Sequence, residues 1–516
     1  MKDERLPLAA LILMLGQSLY NSVIYVIGLV VIGFRDRADG GWIVWLLVGA
    51  GFLLVVASTL VRYLRFTYRL ADSQVVIKSG LFVRKTRHIP YAKIQTLRHQ
   101  QWFFLKPFNL ESLVIETSSK NGKEGEAQLY AVVPAVGAEI EARRKMLRGE
   151  QAAVAQAAAA EADIAGAADA PVATVSSAPA EVESPTARYT ISAHDLNVYA
   201  LTSLGFIPIL TGALWLWDKF DDIVPKGWER NIDHYMAQLA AAALLALIVF
   251  ALIVGILISY LRLLQKYYQF TLMQNGDTLT AARGLLKRTQ VSTRLHQLQA
   301  VRFSQTVLRQ LFHLTTVQGL IASNASDDET SDATVLMPVV KEDQALLTMR
   351  RFITWLPAAV PPLQPVQRRR YWYYIRNSVL TGLGLAVGLS LAIYFWQAKW
   401  LAIAIGLSLV WVAFTAFQGT YAARNAGVKI LSPDLLVLQK GGWWRRQRFF
   451  VRRANIQSLE VNTSYWLAKK QVAHLVVNVR KGDGNENIEV SYLEQSIADA
   501  VRAWYRPADF QGGGLQ

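Results

Sequence analysis

The chain has 516 residues, a formal net charge of +16, 53% hydrophobic residues and no cysteine. Without thiols, disulfides, thiolate metal sites and cysteine nucleophiles are excluded. A soluble protein of this length would form two to four domains, but here the apolar residues gather into long uncharged runs.

Residues 8–34 and 41–61 are the first two such runs. At about 1.5 Å of rise per residue each reaches across a hydrocarbon core of about 30 Å, so 8–61 reads as a transmembrane hairpin. The first run is too long for a signal peptide and lacks a small-residue cleavage site. After Arg62 the periodicity changes from helical to alternating. FTYRLA (66–71), QVVIKSG (74–80), LFVRKTRHI (81–89) and KIQTLRHQ (93–100) read as consecutive strands, with turns at Asp72-Ser73 and Gly80. ESLVIETSS (111–119) and QLYAVV (128–133) continue the sheet, and an amphipathic helix follows from Val136. Residues 66–149 are therefore expected to form a small antiparallel sheet closed by a C-terminal helix. The Ala-, Pro-, Ser- and Glu-rich stretch 150–187 cannot bury enough apolar surface to offset its ordering entropy and reads as a disordered linker, with an alanine-rich helix left open for its first half.

The pattern then recurs. Apolar runs at 199–217, interrupted by Pro208, and at 236–261 give a second hairpin, 199–261, followed by a soluble segment, 266–356. Runs at 378–396 and 400–417 give a third hairpin, 378–417, followed by 420–506. The segment GLFVRKTRHIPYAKIQTL (80–97) returns without a gap as GLLKRTQVSTRLHQLQAV (284–301) and GWWRRQRFFVRRANIQSL (442–459). Gly80, Gly284 and Gly442 correspond, as do Arg84, Arg288 and Arg446, and Gln95, Gln299 and Gln457. The later copies also end alike, ATVLMPVV leading into EDQALLTMRRFI and ENIEVSYL into EQSIADAVRAWY. The repeating unit is helix, helix, β-module, three times over.

Cations mark the orientation. Lys2, Arg5, Arg62, Arg65, Arg69, Arg262, Lys266, Arg368, Arg369, Arg370 and Arg376 flank one side of the spans, whereas the 35–40 and 218–235 loops balance or outweigh their cations with acids. The positive-inside bias therefore places both termini and all three modules in the cytoplasm, as a multi-pass inner-membrane protein with six spans.

A turn glycine, an arginine a few residues on, an I-Q-x-L strand and a closing amphipathic helix resemble the bacterial pleckstrin-homology-like "membrane-flanked" domain family, in particular its three-copy, YdbT-type membrane members. The resemblance covers nearly everything except 150–187 and the tail after about 506. It implies a pleckstrin-homology-like fold, a strongly bent sheet with one capping helix, and thus a membrane α plus α+β class overall. It carries over no catalytic motif and no cofactor, and it points to envelope homeostasis or stress resistance.

Candidate contacts for anionic lipid or a partner protein are the cations and aromatics just past the membrane. They are Arg84, Lys85 and Arg87; Lys287 and Arg288; and Trp443, Trp444, Arg445, Arg446, Arg448, Arg452 and Arg453. Each cation near anionic headgroups would be worth about 1 kcal/mol, and indoles suit the interface. The plainer reading is a solvated strand face. The third copy is the most basic and aromatic, and the second replaces Pro90 and Tyr91 by Arg294 and Leu295. Nucleic-acid binding is set aside, because the positive charge sits where membrane topology demands it. No spaced histidine pair, nucleophile elbow or phosphate loop is present, so the sequence argues for a non-enzymatic lipid- or protein-binding scaffold. A transporter or transporter subunit is the rival membrane reading, its polar groups within the spans being Gln17 and Asn21.

Overall fold

The computed structural model describes residues 3–35, 41–81, 83–117, 126–147, 187–202, 234–322, 334–397, 401–482 and 484–506. The linker expected at 150–187, apart from its last residue, and the third expected span beyond 202 lie outside these residues. The chain forms two compact units. One comprises the first 185 residues with Thr280–Thr293, the other Thr186–Leu279 with Arg294–Gln516.

The first unit begins with β1 (Glu4–Arg5), α1 (Leu8–Arg35) and α2 (Gly41–Arg65). Strands β2 (Thr67–Leu70), β3 (Gln74–Ser79), β4 (Lys85–Pro90), β5 (Ile94–Trp102), β6 (Glu111–Thr117) and β7 (Glu126–Val132) follow, then helix α3 over 134–147. The expected strand 81–89 begins only at Lys85, because Gly80 adopts φ +134° and turns the chain there. Strands β1-β2-β3-β4 form one sheet, and β5, β6 and β7 pair in another. Val75, Ile77 and Ile89 from the first and Leu97, Leu113, Ile115 and Leu129 from the second bury their side chains in one core with Ile140 of α3. Each such burial is worth about 1.5–3 kcal/mol. A single 3₁₀ turn, Tyr91–Lys93, carries the chain from one sheet to the other. Tyr91 is fully buried there and its hydroxyl donates to the Ala71 carbonyl at 3.0 Å, so its role is structural.

The second repeat runs through β8 (Ala187–Thr190), α4 (Ala193–Leu201), α5 (His234–Tyr267), β9 (Thr271–Asn275), β10 (Thr278–Arg283) and β11 (Lys287–Arg294). It continues with β12 (Leu298–Thr306), α6 (Val307–Leu311), β13 (Leu314–Ile321), β14 (Thr334–Lys341) and α7 (Glu342–Arg350). The third comprises β15 (Gln364–Pro365), α8 (Tyr371–Gln397), α9 (Leu401–Arg424), β16 (Gly427–Ser432), β17 (Leu435–Gly442), β18 (Arg445–Arg452), β19 (Ile456–Asn462), α10 (Tyr465–Ala468), β20 (Val472–Lys481), β21 (Gly484–Glu494) and α11 (Gln495–Tyr505).

The self-contained sheet expected of each repeat is not what forms. Each repeat contributes two half-sheets, and in the first two repeats the free edge of the second half is taken by the next repeat's first half. In the first unit β5 pairs antiparallel with β11, from Leu97↔Ser292 to Trp102↔Lys287. In the second unit β12 pairs with β18, from Ala300↔Val451 to Thr306↔Arg445, giving a sheet ordered β14-β13-β12-β18-β17-β16-β15. The last half-sheet, β19-β20-β21, faces β16–β18 over Leu436, Leu438 and Phe449 on one side and Leu475, Val477 and Ile488 on the other, with Val501 of α11. The short segment ahead of each hairpin adds a strand beside the first strand after it: β1 to β2, β8 to β9 and β15 to β16.

Among the described residues three helical stretches are long and apolar enough to cross a membrane, Trp45–Arg65, Arg368–Phe395 and Leu401–Arg424, against the six expected; Leu8–Val23 is apolar but shorter. The α8–α9 hairpin is close-packed through glycine. A Cβ on Gly382 would lie 2.5 Å from Thr415 Oγ1, and one on Gly419 would lie 2.8 Å from the Ile375 Cα. Of the small residues at 382–390, Gly384 and Gly388 meet nothing within 4 Å, whereas Gly382, buried Ala386 and Ser390, whose hydroxyl lies 3.1 Å from that of Ser408, serve that contact.

Candidate membrane-facing site

The basic and aromatic stretch of the third repeat forms the β17–β18 hairpin. Gly441 lies against α9, where a Cβ would approach the Ala422 backbone to 2.6 Å. The turn differs from its counterparts. Gly80 and Gly284 hold positive φ angles of 134° and 111°, whereas in the third copy the left-handed residue is Trp444, at φ +50°. That conformation costs a non-glycine residue about 1–2 kcal/mol. It is offset by ring packing, the Trp444 indole lying 4.9 Å from Phe414, 5.5 Å from Phe417 and 5.7 Å from Tyr421, centroid to centroid, all on α9. Trp443 reaches Trp411 at 6.1 Å and keeps 64% of its surface exposed. Trp411 lies six residues, about 9 Å, ahead of Phe417 on α9, farther from the end of the helix that leads into β16. The turn thus lies along the flank of an apolar helix, with one indole docked and the other outward.

In the first unit the corresponding tips also present apolar groups. Arg65, at the end of α2, donates from Nη1 to the Leu81 carbonyl at 2.7 Å, and neighbouring Val83 is exposed. Phe103 N–H donates to the Leu286 carbonyl at 2.8 Å, bringing exposed Phe103 beside exposed Leu285 and Leu286. Val307 N–H makes the same bond to the Trp444 carbonyl, at 3.0 Å. Sequence reasoning missed the Trp102-Phe103-Phe104 side of this tip, although WFFLKPF (102–108) holds four aromatics in seven residues.

The expected cations divide into two groups. Arg84, Lys85, Arg288 and Arg445 are exposed. Arg87 is half-buried on β4 opposite Ile77, and Lys287 places Nζ 5.4 Å from the Trp102 ring centroid. Like Lys287, the remaining four make contacts within the fold. Arg446 donates from Nε to Gln305 Oε1 at 2.8 Å and from Nη2 to Glu342 Oε1 at 2.7 Å. Arg448 donates from Nε and Nη2 to Gln439 Oε1 at 3.0 and 2.8 Å. Burial, reinforced by Arg446, holds the Arg448 guanidinium down to about 10, still protonated at neutral pH. Arg452 pairs with Asp434 at 2.8 Å, and Arg453 donates to the Arg506 carbonyl at 3.1 Å beyond the end of α11. The cleft lined by Glu342, Arg446 and Arg448 holds about 10 Å³, room for one water and far too little for a sugar phosphate. Gln17 and Asn21 are exposed on α1.

The bacterial PH domain family model matches residues 10–146, 231–348 and 378–509; the first and third matches take in hairpin and module together, and the second begins just ahead of the second apolar run of its hairpin. The chain belongs to the bacterial PH domain family. It is also similar to the UPF0699 transmembrane protein YdbT of Bacillus subtilis (strain 168), 24% identical over 463 residues that cover 89% of this chain and 88% of the relative. Three family copies and apolar helices make it a membrane-associated, YdbT-type bacterial PH-domain protein.

Proposed function

We propose that the chain is a six-span inner-membrane scaffold whose three PH-like modules (66–149, 266–356 and 420–506) lie on the cytoplasmic leaflet and bind anionic lipid or a partner protein, without catalysis. The strand pairs that bracket each hairpin support an even number of crossings per hairpin, because a chain that leaves β1, β8 or β15 returns to pair on the same side of the barrier. The observation that carries the reading is the Trp443-Trp444 turn on the aromatic flank of α9. A module so fixed dips its turn into the headgroup region and sets Arg445 at the level of lipid phosphates. Tethering three modules in one plane lets weak sites act at high effective concentration.

The chain has no native cysteine, so a fluorophore can be placed uniquely. Full-length Trp443→Cys, labelled and reconstituted in bilayers, is expected to be quenched by nitroxides on the lipid acyl chain. Asp434→Cys, at the other end of β17, should not be. Equal quenching at both sites, or none at 443, would remove the reading.

A further inference from the structure

The two internal junctions obey one rule that the chain leaves unfinished at both ends. Repeat positions are related to the first copy by offsets of 204 and 362 residues. Carried through those offsets, the β5–β11 and β12–β18 pairings have the same register: Arg98↔Val291 and Arg302↔Phe449 are one step, and Gln100↔Thr289 and Ser304↔Gln447 are another. Two strands of these types have a single neighbour among the described residues. β4 ends the sheet β1-β2-β3-β4, and β19 ends β19-β20-β21.

Applied to these two edges, the same register sets Leu459 opposite His88, Glu460 opposite Arg87 and Asn462 opposite Lys85. The chemistry changes at the central step. Where the inner junctions place Arg98 and Arg302 against apolar Val291 and Phe449, the outer edges bring a carboxylate to a guanidinium. Exposure changes with it. Glu460 and Asn462 are exposed where Arg98 and Gln100 are buried, and Lys85 and His88 are exposed where Thr289 and Ser292 are buried. Within its own sheet Glu460 accepts a 3.4 Å hydrogen bond from Asn478 Nδ2. Open strand edges pair indiscriminately unless charge restricts them, and opposite charges directly across an antiparallel pair favour one partner and one register.

We propose that β19 of one chain pairs antiparallel with β4 of a second copy, in the register of the internal junctions, so that the third module of one molecule continues into the first module of the next. Such a head-to-tail contact is heterologous and builds a ring or a filament. It goes beyond the scaffold reading and stands on strand register alone, whether or not the turns reach lipid.

Two full-length single-cysteine variants with different tags, Glu460→Cys and Arg87→Cys, are co-expressed in membranes and treated with a short thiol cross-linker. Directly opposed residues have Cβ atoms about 4.5–5.5 Å apart. A mixed-tag dimer is expected from this pair and not from Glu460→Cys with Ser79→Cys, one strand further in. In the solubilised full chain, Glu460→Arg and Arg87→Glu should each weaken self-association roughly tenfold, and a chain carrying both should regain it. The proposal is overturned by absence of the mixed-tag product, by a cross-link confined to one chain when both cysteines are on it, or by a double reversal no better than the single ones.

Discussion

The junction between the first and second repeats and that between the second and third make the same backbone pairing with different side chains. In the first, Arg98 on β5 is buried against Glu116 on β6 at 2.5 Å, and Lys287 covers the Trp102 ring. In the second, the equivalent Arg302 donates to Gln318 at 2.9 Å and lies 3.5 Å from Glu486 of the third repeat. Gln305 there accepts from Arg446 and donates to Glu342 at 2.9 Å, and Asn455 donates to the Leu298 and Gln299 carbonyls. The shared register therefore comes from strand alternation and the repeated turn, and the polar contacts set how firmly each junction holds. At the central step the first junction offers Val291 and the second Phe449.

That step gives the largest expected effect. Phe449 is fully buried, and its neighbour Phe450 meets Phe303 edge-on at 5.3 Å. Phe449→Ala should destabilise the second junction by about 3–5 kcal/mol. Val291→Ala should weaken the first by about 2 kcal/mol, in line with the smaller side chain removed. Hydrogen exchange of the full chain, read separately over β12–β18 and β5–β11, checks both. Equal losses would mean that the junctions are not held independently.

Much of this architecture is visible in the sequence, because it is written in period and repetition. The alternation of QVVIKSG became β3, the gapless return of the I-Q-x-L segment located β5, β12 and β19, and the closing helices stand at 134–147, Glu342–Arg350 and Gln495–Tyr505. What could not be read was which strand lies beside which. β4 and β11 have the same pattern, and nothing local says that β5 takes the later one. The same limit applies to the cations. Arg445 and Arg446 are adjacent in sequence, yet alternation turns Arg445 to solvent and Arg446 toward Gln305 and Glu342, two residues that lie over a hundred positions away. The aromatic partners of Trp444 were hidden inside a span read only as apolar.

The turns at the junction tips sharpen the comparison at intermediate size. A Cβ at Gly80 or Gly284 would lie 2.0 Å from the carbonyl oxygen of Val83 or Lys287, in a backbone region closed to L residues. At Gly442 the nearest such atom is 3.8 Å away. Alanine should therefore cost at least about 2 kcal/mol at Gly80 and at Gly284, and within about 0.5 kcal/mol of nothing at Gly442. Thermal unfolding of the three variants in one detergent checks this. A large loss at Gly442 would mean that the third turn relies on its glycine, as the other two do, rather than on Trp444.

The smallest effect separates the polar contacts themselves. Glu342 joins Arg446 and Gln305 in a triangle in which every bond has a charged member or a buried one, so Glu342→Gln, which keeps shape and one acceptor, should cost about 1–2 kcal/mol. Lys287→Met keeps the chain lying over Trp102 and removes only the cation, which should cost about 0.5–1 kcal/mol. Salt distinguishes them further, because the part-exposed charges of the Arg446–Glu342 pair, whose side chains retain 23% and 27% of their surface, are screened, whereas the ammonium over Trp102 is held by a short-range contact with the ring. Raising ionic strength should therefore shrink the Glu342→Gln effect and leave most of the Lys287→Met effect. If the Glu342→Gln effect does not shrink, the charge of the pair contributes little, and the second junction rests at this point on packing, including the aromatic pair at Phe303 and Phe450.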